Sequence, residues 1–154
     1  MAETGLLIFD LDGTLFRTET ASVPAVRRTF QDFGLPIPRK EEIAFFFGRP
    51  ASEFHAWLRT RCPPEHEAQL LALIGQRELA LVARTGELYP GVKKALSGLR
   101  ASSRAMAICS NGPQDYVEQV LSSHGLAAWF DAVRYRQSEQ DSKPAMVREL
   151  LERL

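Results

Sequence analysis

Leu6-Leu7-Ile8-Phe9 is an unbroken apolar run that stops at Asp10. Four apolar side chains in succession leave no face for solvent, so the run predicts a strand buried on both sides, as in parallel sheets covered by helices above and below. It reads as a central strand. From Ser22 the period changes: Ser22 offers a cap, Pro24 suits a first turn, and Val23, Val26, Phe30 and Phe33 form one helical face before Gly34. Lys40 to Phe47 and Ser52 to Arg61 predict short helices. Pro63-Pro64 opens a longer one striped by Leu70, Leu73, Ile74 and Leu81, with Gly75 a weak point inside it.

The second half alternates. Pro90 to Arg100 predicts a helix, Ala105 to Cys109 a buried strand, and Pro113 to His124 a helix with Val117, Val120, Leu121 and His124 on one face. Phe130 to Tyr135 is a weaker strand. Pro144 starts a last helix with Val147, Leu150, Leu151 and Leu154 on one side. This order predicts an α/β fold, a three-layer Rossmann-like parallel-sheet core with right-handed crossovers. Residues 1–15 and 90–154 form that core, and residues 16–89 are inserted as a helical cap. The cap is expected to hinge near Leu15 to Thr20 and Glu87 to Pro90, with no strand of the main sheet between Ala21 and Thr85.

Composition narrows the function. Nineteen basic side chains balance nineteen acidic ones without clustering, which argues against a general nucleic-acid binder or a polybasic membrane protein. The segment before Asp10 is too short for a signal peptide or a membrane span, so the expected location is cytoplasmic. Cys62 and Cys109, with no C-x-x-C spacing, read as free thiols.

The chemistry is written where the first strand runs out, in Asp10-Leu11-Asp12-Gly13-Thr14. Ligands of open parallel sheets bind at the carboxyl ends of strands. Two carboxylates at i and i+2 in such a loop can divide labour, one attacking or holding a cation while the other exchanges protons. A polar turn with an Asx cap is the plain alternative; an EF-hand loop fails because Thr14 and Leu15 stand where an acid and a glycine are needed. Ser110-Asn111-Gly112 ends the second strand immediately before a helix, where a hydroxyl and free N–H groups make an anion site or an ordinary cap. Lys143, in Ser142-Lys143-Pro144 at a third helix start, can aim a point charge at a phosphate or stay solvated.

Taken in order, these segments resemble the haloacid dehalogenase superfamily, most of whose members hydrolyse phosphate monoesters. Phe9 to Leu15 matches its first motif, Ser110-Asn111-Gly112 the second and Lys143-Pro144 the third. Gly34, Tyr89-Pro90-Gly91-Val92, Phe130-Asp131 and the helical insertion are similar to the phosphoglycolate-phosphatase-like subgroup. The resemblance implies that Asp10 attacks phosphorus and forms an aspartyl-phosphate, and that Asp12 protonates the leaving alcohol and then deprotonates the hydrolytic water. It implies Mg2+ on Asp10 and on the carbonyl of Asp12, with Ser110, Asn111, Gly112 and Lys143 holding the phosphoryl group. The expected partner is a small-molecule phosphate ester; a phosphomutase of the same superfamily shares these motifs.

The superfamily's fourth motif, an acidic pair that completes the metal site, belongs beyond Leu154. The chain is therefore expected to be truncated, with three core strands, an unpaired edge on Leu6 to Phe9, and either a longer polypeptide or a homo-oligomer covering that edge. A catalytically impaired phosphate-binding domain is the matching alternative. Asp131, Glu139 and Asp141 read as solvated loop acids. Phe45, Phe46, Phe47 and Trp57 are expected in the cap core. Arg49 either steers an anion or is merely exposed, and His55, His66 and His124 receive no role.

Overall fold

The computed structural model describes residues 4–154. Three parallel strands, β1 (Thr4–Phe9), β2 (Ser103–Ser110) and β3 (Ala132–Tyr135), form one sheet in the order β1-β2-β3. Leu6 pairs with Ala105 and Phe9 with Ile108, while Ala107 pairs with Ala132 and Ser110 with Tyr135. Each strand thus ends at the same edge, in Phe9, Ser110 and Tyr135. The apolar run of β1 predicts a central strand, yet among the described residues β1 pairs only with β2 and lies at the sheet's margin. Its outward side is the unpaired edge expected for three core strands.

Helices cover both faces, which is what the solvent-free pattern of β1 requires. On one face Leu7, Phe9, Met106 and Ile108 meet Val92 and Leu96 of α5 (Val92–Ser102) and Val117, Val120 and Leu121 of α6 (Gln114–Ser123). On the other, Leu6, Ile8, Ala107, Cys109 and Ala132 meet Met146 and Leu150 of α7 (Lys143–Arg153). The sequence stripe on α7 included Leu151, but that side chain is 58% exposed. Met146, four residues before Leu150, takes the sheet-facing position instead, turning Leu151 outward.

Between β1 and α5 the chain is helical: α1 (Glu19–Asp32), α2 (Lys40–Ala44), α3 (Ala51–Arg59), a 3₁₀ turn at Pro64–His66 and α4 (Glu67–Arg84). No strand of the sheet lies between Ala21 and Thr85. α1 starts three residues before the expected cap Ser22 and carries Pro24 inside its second turn. α4 runs unbroken through Gly75. Val23, Val26 and Phe30 of α1, Ile43, Leu58, and Leu70 and Ile74 of α4 close a second apolar cluster, separate from that of the sheet. Phe46 and Trp57 pack at its margin, their ring centroids 5.3 Å apart. Phe45, expected in this core, is 58% exposed beneath the guanidinium of Arg49.

The two crossings between these clusters run side by side. Phe16 bridges Leu88 in antiparallel fashion, Arg17 N–H donates to the Glu87 carbonyl at 2.8 Å, and Tyr89 N–H donates to the Leu15 carbonyl at 3.0 Å. Phe16, with no exposed surface, plugs the junction against Tyr116 and His124. Gly86 sits so close behind it that a Cβ there would lie 2.6 Å from the Val82 carbonyl oxygen and 2.9 Å from Phe16 Cζ. Gly86→Ala should therefore destabilise the protein by about 1–3 kcal/mol, as overpacking does. Chemical denaturation checks this, and an unchanged midpoint would mean that the junction yields freely.

Candidate active site

Parallel pairing of β1 and β2 brings their exits together, and the sequence places a polar group at each. Asp10 is the first residue after β1. Its Oδ1 accepts from the Leu11 N–H at 2.8 Å and from Lys143 Nζ at 2.8 Å, joining the first strand end to the start of α7. Its Oδ2 makes no hydrogen bond among the described residues. Buried Leu11 anchors the turn that follows, its carbonyl accepting from Leu15 and Phe16 N–H groups at 2.9 and 3.1 Å.

That turn carries Asp12 inward. Asp12 Oδ1 accepts from the Tyr116 hydroxyl at 2.6 Å and from the Thr18 hydroxyl at 2.7 Å. Burial pushes the Asp12 carboxyl above its ordinary range, against the lowering by the Tyr116 and Thr18 hydrogen bonds; Asp10 adds to the rise. Burial and the adjoining Asp12 also hold the Tyr116 proton more tightly than usual. The two carboxylates therefore sit in different surroundings, one tied to a lysine and open on its second oxygen, the other enclosed by hydroxyl donors.

Ser110, fully buried at the end of β2, accepts from the Gly112 N–H at 3.0 Å, leaving its own proton for another acceptor. Asn111 Nδ2 donates to the Gly48 carbonyl at 3.0 Å, so the second strand end is latched to the helical insertion. Arg136, just past β3, brings Nη1 to 3.5 Å from Asn111 Oδ1 and donates through Nη2 to the Glu139 carbonyl. Gly48 has φ +73, and the position of a Cβ there would be 3.9 Å from the Asp12 carbonyl oxygen and 4.0 Å from Asp10 Oδ2. The loop from the insertion thus lies directly over both oxygens.

All the residues singled out in sequence, Asp10, Asp12, Ser110, Asn111, Gly112 and Lys143, gather at this edge. The other acids do not. Asp131 accepts from Arg100 and from the Met106 N–H, and Asp141 accepts from Arg134 and the Gln137 N–H, so both are structural braces rather than solvated loop acids. Among the described residues no group of three His, Cys, Asp or Glu side chains is placed to hold a metal. Thr18, Tyr116, Gly48 and Arg136 lay outside the motifs; the signal available was Tyr116 in the first turn of the helix that opens after Ser110-Asn111-Gly112.

A cavity of about 220 Å³ extends from Asp12 and Asn111 into the insertion, with Ser22 and Glu78 on its wall. Ser22, expected as a helix cap, instead donates to Glu78 Oε1 across α1 and α4. Burial raises the Glu78 carboxyl to about 7; the Ser22 hydrogen bond lowers it less, while Asp12 and Asp115 add to the rise.

The pattern of haloacid dehalogenase-like hydrolases matches residues 7–154 of this sequence. The chain belongs to that family. A phosphoglycolate phosphatase of Vibrio parahaemolyticus is 29% identical over 90% of this chain, and one of Photorhabdus laumondii is 26% identical over 90%. The chain spans 64% and 61%, respectively, of those relatives' lengths. Among solved folds, a predicted phosphoglycolate phosphatase of Haemophilus somnus superposes with a TM-score of 0.88 at 23% identity, over 99% of this chain and 72% of the other. CbbY from Rhodobacter sphaeroides, in complex with phosphate, gives 0.75 at 23% identity over 97% and 72%. These likenesses establish the α/β fold.

The raised Glu78 has a thermodynamic signature. A carboxyl at about 7 in the fold against an ordinary 4.5 binds its proton more tightly when folded. Stability is therefore full below 4.5 and declines as the pH climbs through 7, by up to about 3 kcal/mol. Urea unfolding across this range should show the decline in the native chain and lose most of it in Glu78→Gln; equal slopes would show that Glu78 is solvated.

Proposed function

We propose that the protein is a phosphatase that hydrolyses a small-molecule phosphate monoester through an aspartyl-phosphate on Asp10. The observation that carries this reading is the unequal setting of two carboxylates at one strand edge: Asp10 paired with Lys143, Asp12 enclosed by Tyr116 and Thr18. Family membership and the phosphatase relatives support it.

The residues divide the reaction as follows. An Asp10 carboxylate oxygen forms a bond to phosphorus as the ester bond breaks, and Asp12 gives its proton to the departing alcohol oxygen. Asp12 then takes a proton from water as that water attacks the acyl-phosphate, which returns Asp10 as a carboxylate and releases phosphate. Lys143 offsets negative charge on the phosphoryl oxygens, and the free hydroxyl proton of Ser110 and the N–H groups opening α6 are donors to them. The donors fit a hard divalent cation: Asp10 Oδ2 and the Asp12 carbonyl both lack a hydrogen-bond partner among the described residues and both face the space beneath Gly48. These two oxygens would hold Mg2+, which when bound would supply charge neutralisation.

Residues 16–89 serve, in this reading, as a cap that shuts the site from water, with the paired crossings at Leu15 to Thr20 and Glu87 to Pro90 as hinges and the Asn111–Gly48 hydrogen bond as latch. No helix among the described residues is long and apolar enough to cross a membrane, and free cysteines suit the reducing cytoplasm. The open edge of β1 fits either a further segment of a longer polypeptide or a second copy of the chain; elution as a monomer in size exclusion overturns the second.

Asp10→Asn should abolish both phosphate release and trapping of a beryllium-fluoride adduct. Asp12→Asn should keep ligand binding while slowing turnover by about a hundredfold or more. Normal turnover in the first variant refutes the covalent mechanism; phosphate returned to the substrate sugar rather than to water identifies a mutase.

A further inference from the structure

The cavity beyond Asp12 states what kind of alcohol can leave. Its volume of about 220 Å³ is some seven times a water molecule's share of the liquid, and most of its wall is apolar, with Val26, Phe46, Phe54, Leu71 and Ile74 prominent. Among the polar side chains on it, Ser22 and Glu78 face each other from two helices. Ser22 of α1 donates to Glu78 Oε1 of α4, while Glu78 Oε2 makes no hydrogen bond among the described residues.

The charges around the cavity are unfavourable to a further anion. Asp12 stands at its inner end and Glu78 on its wall. Among the described residues Arg49 is the single lysine or arginine lining it, and that side chain is exposed, paired with Glu53 at 3.1 Å and laid over the Phe45 ring at 4.0 Å. His55, also on the wall, loses proton affinity through burial first and the nearby Arg59 second, and so contributes no dependable positive charge near neutrality. An apolar enclosure holding a carboxyl group and no committed cation penalises a second carboxylate and rewards a neutral hydrogen-bonding group.

Building on the phosphatase reading, we propose that the leaving group is an uncharged, largely apolar alcohol bearing a further hydroxyl held by Glu78, and that alcohols bearing a carboxylate are rejected. Glu78 is then a specificity-determining residue supplied by the insertion, with Ser22 as its positioning partner. This departs from the substrate in the names of the curated relatives, whose ester carries a carboxylate.

Calorimetric titration of the chain in magnesium buffer with four unhydrolysable phosphonates tests the inference separately from the reading beneath it. Methylphosphonate probes the phosphoryl site alone; butyl-, 4-hydroxybutyl- and 3-carboxypropylphosphonate probe the cavity. The expected order is hydroxybutyl tightest, butyl a few-fold weaker, and carboxypropyl about tenfold or more weaker than butyl. In Glu78→Leu, and independently in Ser22→Ala, the advantage of hydroxybutyl over butyl should collapse to about onefold. Carboxypropyl binding as tightly as hydroxybutyl, or an advantage of hydroxybutyl that survives in both variants, overturns the proposal. Binding of methylphosphonate with no gain from any longer chain also overturns it while leaving the phosphatase reading intact. Failure of all four to bind removes both.

Discussion

The parallel pairing of β1 with β2 is the constraint from which the rest follows. Parallel neighbours point their exits the same way, so Asp10 and Ser110 leave the sheet side by side and the chain must travel back across the molecule between them. The first return accommodates the whole helical insertion, and the second and third deliver β3 and α7. The loop after the third strand's exit returns to the same edge before α7 begins, so Lys143 reaches Asp10 across 133 residues of sequence with an ion pair of 2.8 Å. None of the three helix starts would matter chemically if the strands ran antiparallel.

Burial then separates two groups that are chemically identical. Asp10 and Asp12 are two residues apart, yet the turn anchored by Leu11 leaves one at the open edge and folds the other beneath Tyr116 and Thr18. Desolvation disfavours the charged form of Asp12, and the hydroxyl donors limit how far it is disfavoured. In the proposed reaction one residue type thereby supplies both a nucleophile and a proton carrier, by position alone. The same physics acts on Glu78, enclosed between α1 and α4, where the Ser22 hydroxyl donates to it.

The insertion has an apolar cluster of its own, while Ala21 of α1 and Leu79, Leu81 and Val82 of α4 pack into the sheet's core. It meets the sheet unit through the packing of α4 on α6, the plug of Phe16, the paired crossings and the Asn111–Gly48 hydrogen bond. Towards the strand exits the seam between the two clusters is left unfilled. The cavity occupies that seam, where the sheet unit supplies Asp12 and Asn111 and the insertion supplies the apolar wall.

Much was legible in the amino-acid order because it depends on short-range patterning. The solvent-free run at Leu6 to Phe9, the stripes at Val23, Val26 and Phe30 and at Val117, Val120 and Leu121, and the polar residues at strand exits specify the element order, the parallel sheet and the six residues that gather at its edge. Periodicity does not say which neighbour a face meets. Hence Leu151 and Phe45 turned outward, Ser22 became a partner of Glu78 instead of a cap, and β1 lay at the sheet's margin. Tyr116, Thr18, Gly48 and Arg136 join the site only through contacts between elements remote in sequence. The residues capable of chemistry were thus set by sequence; how strongly each holds its proton, and what the cavity admits, was decided by burial and by the meeting of distant helices.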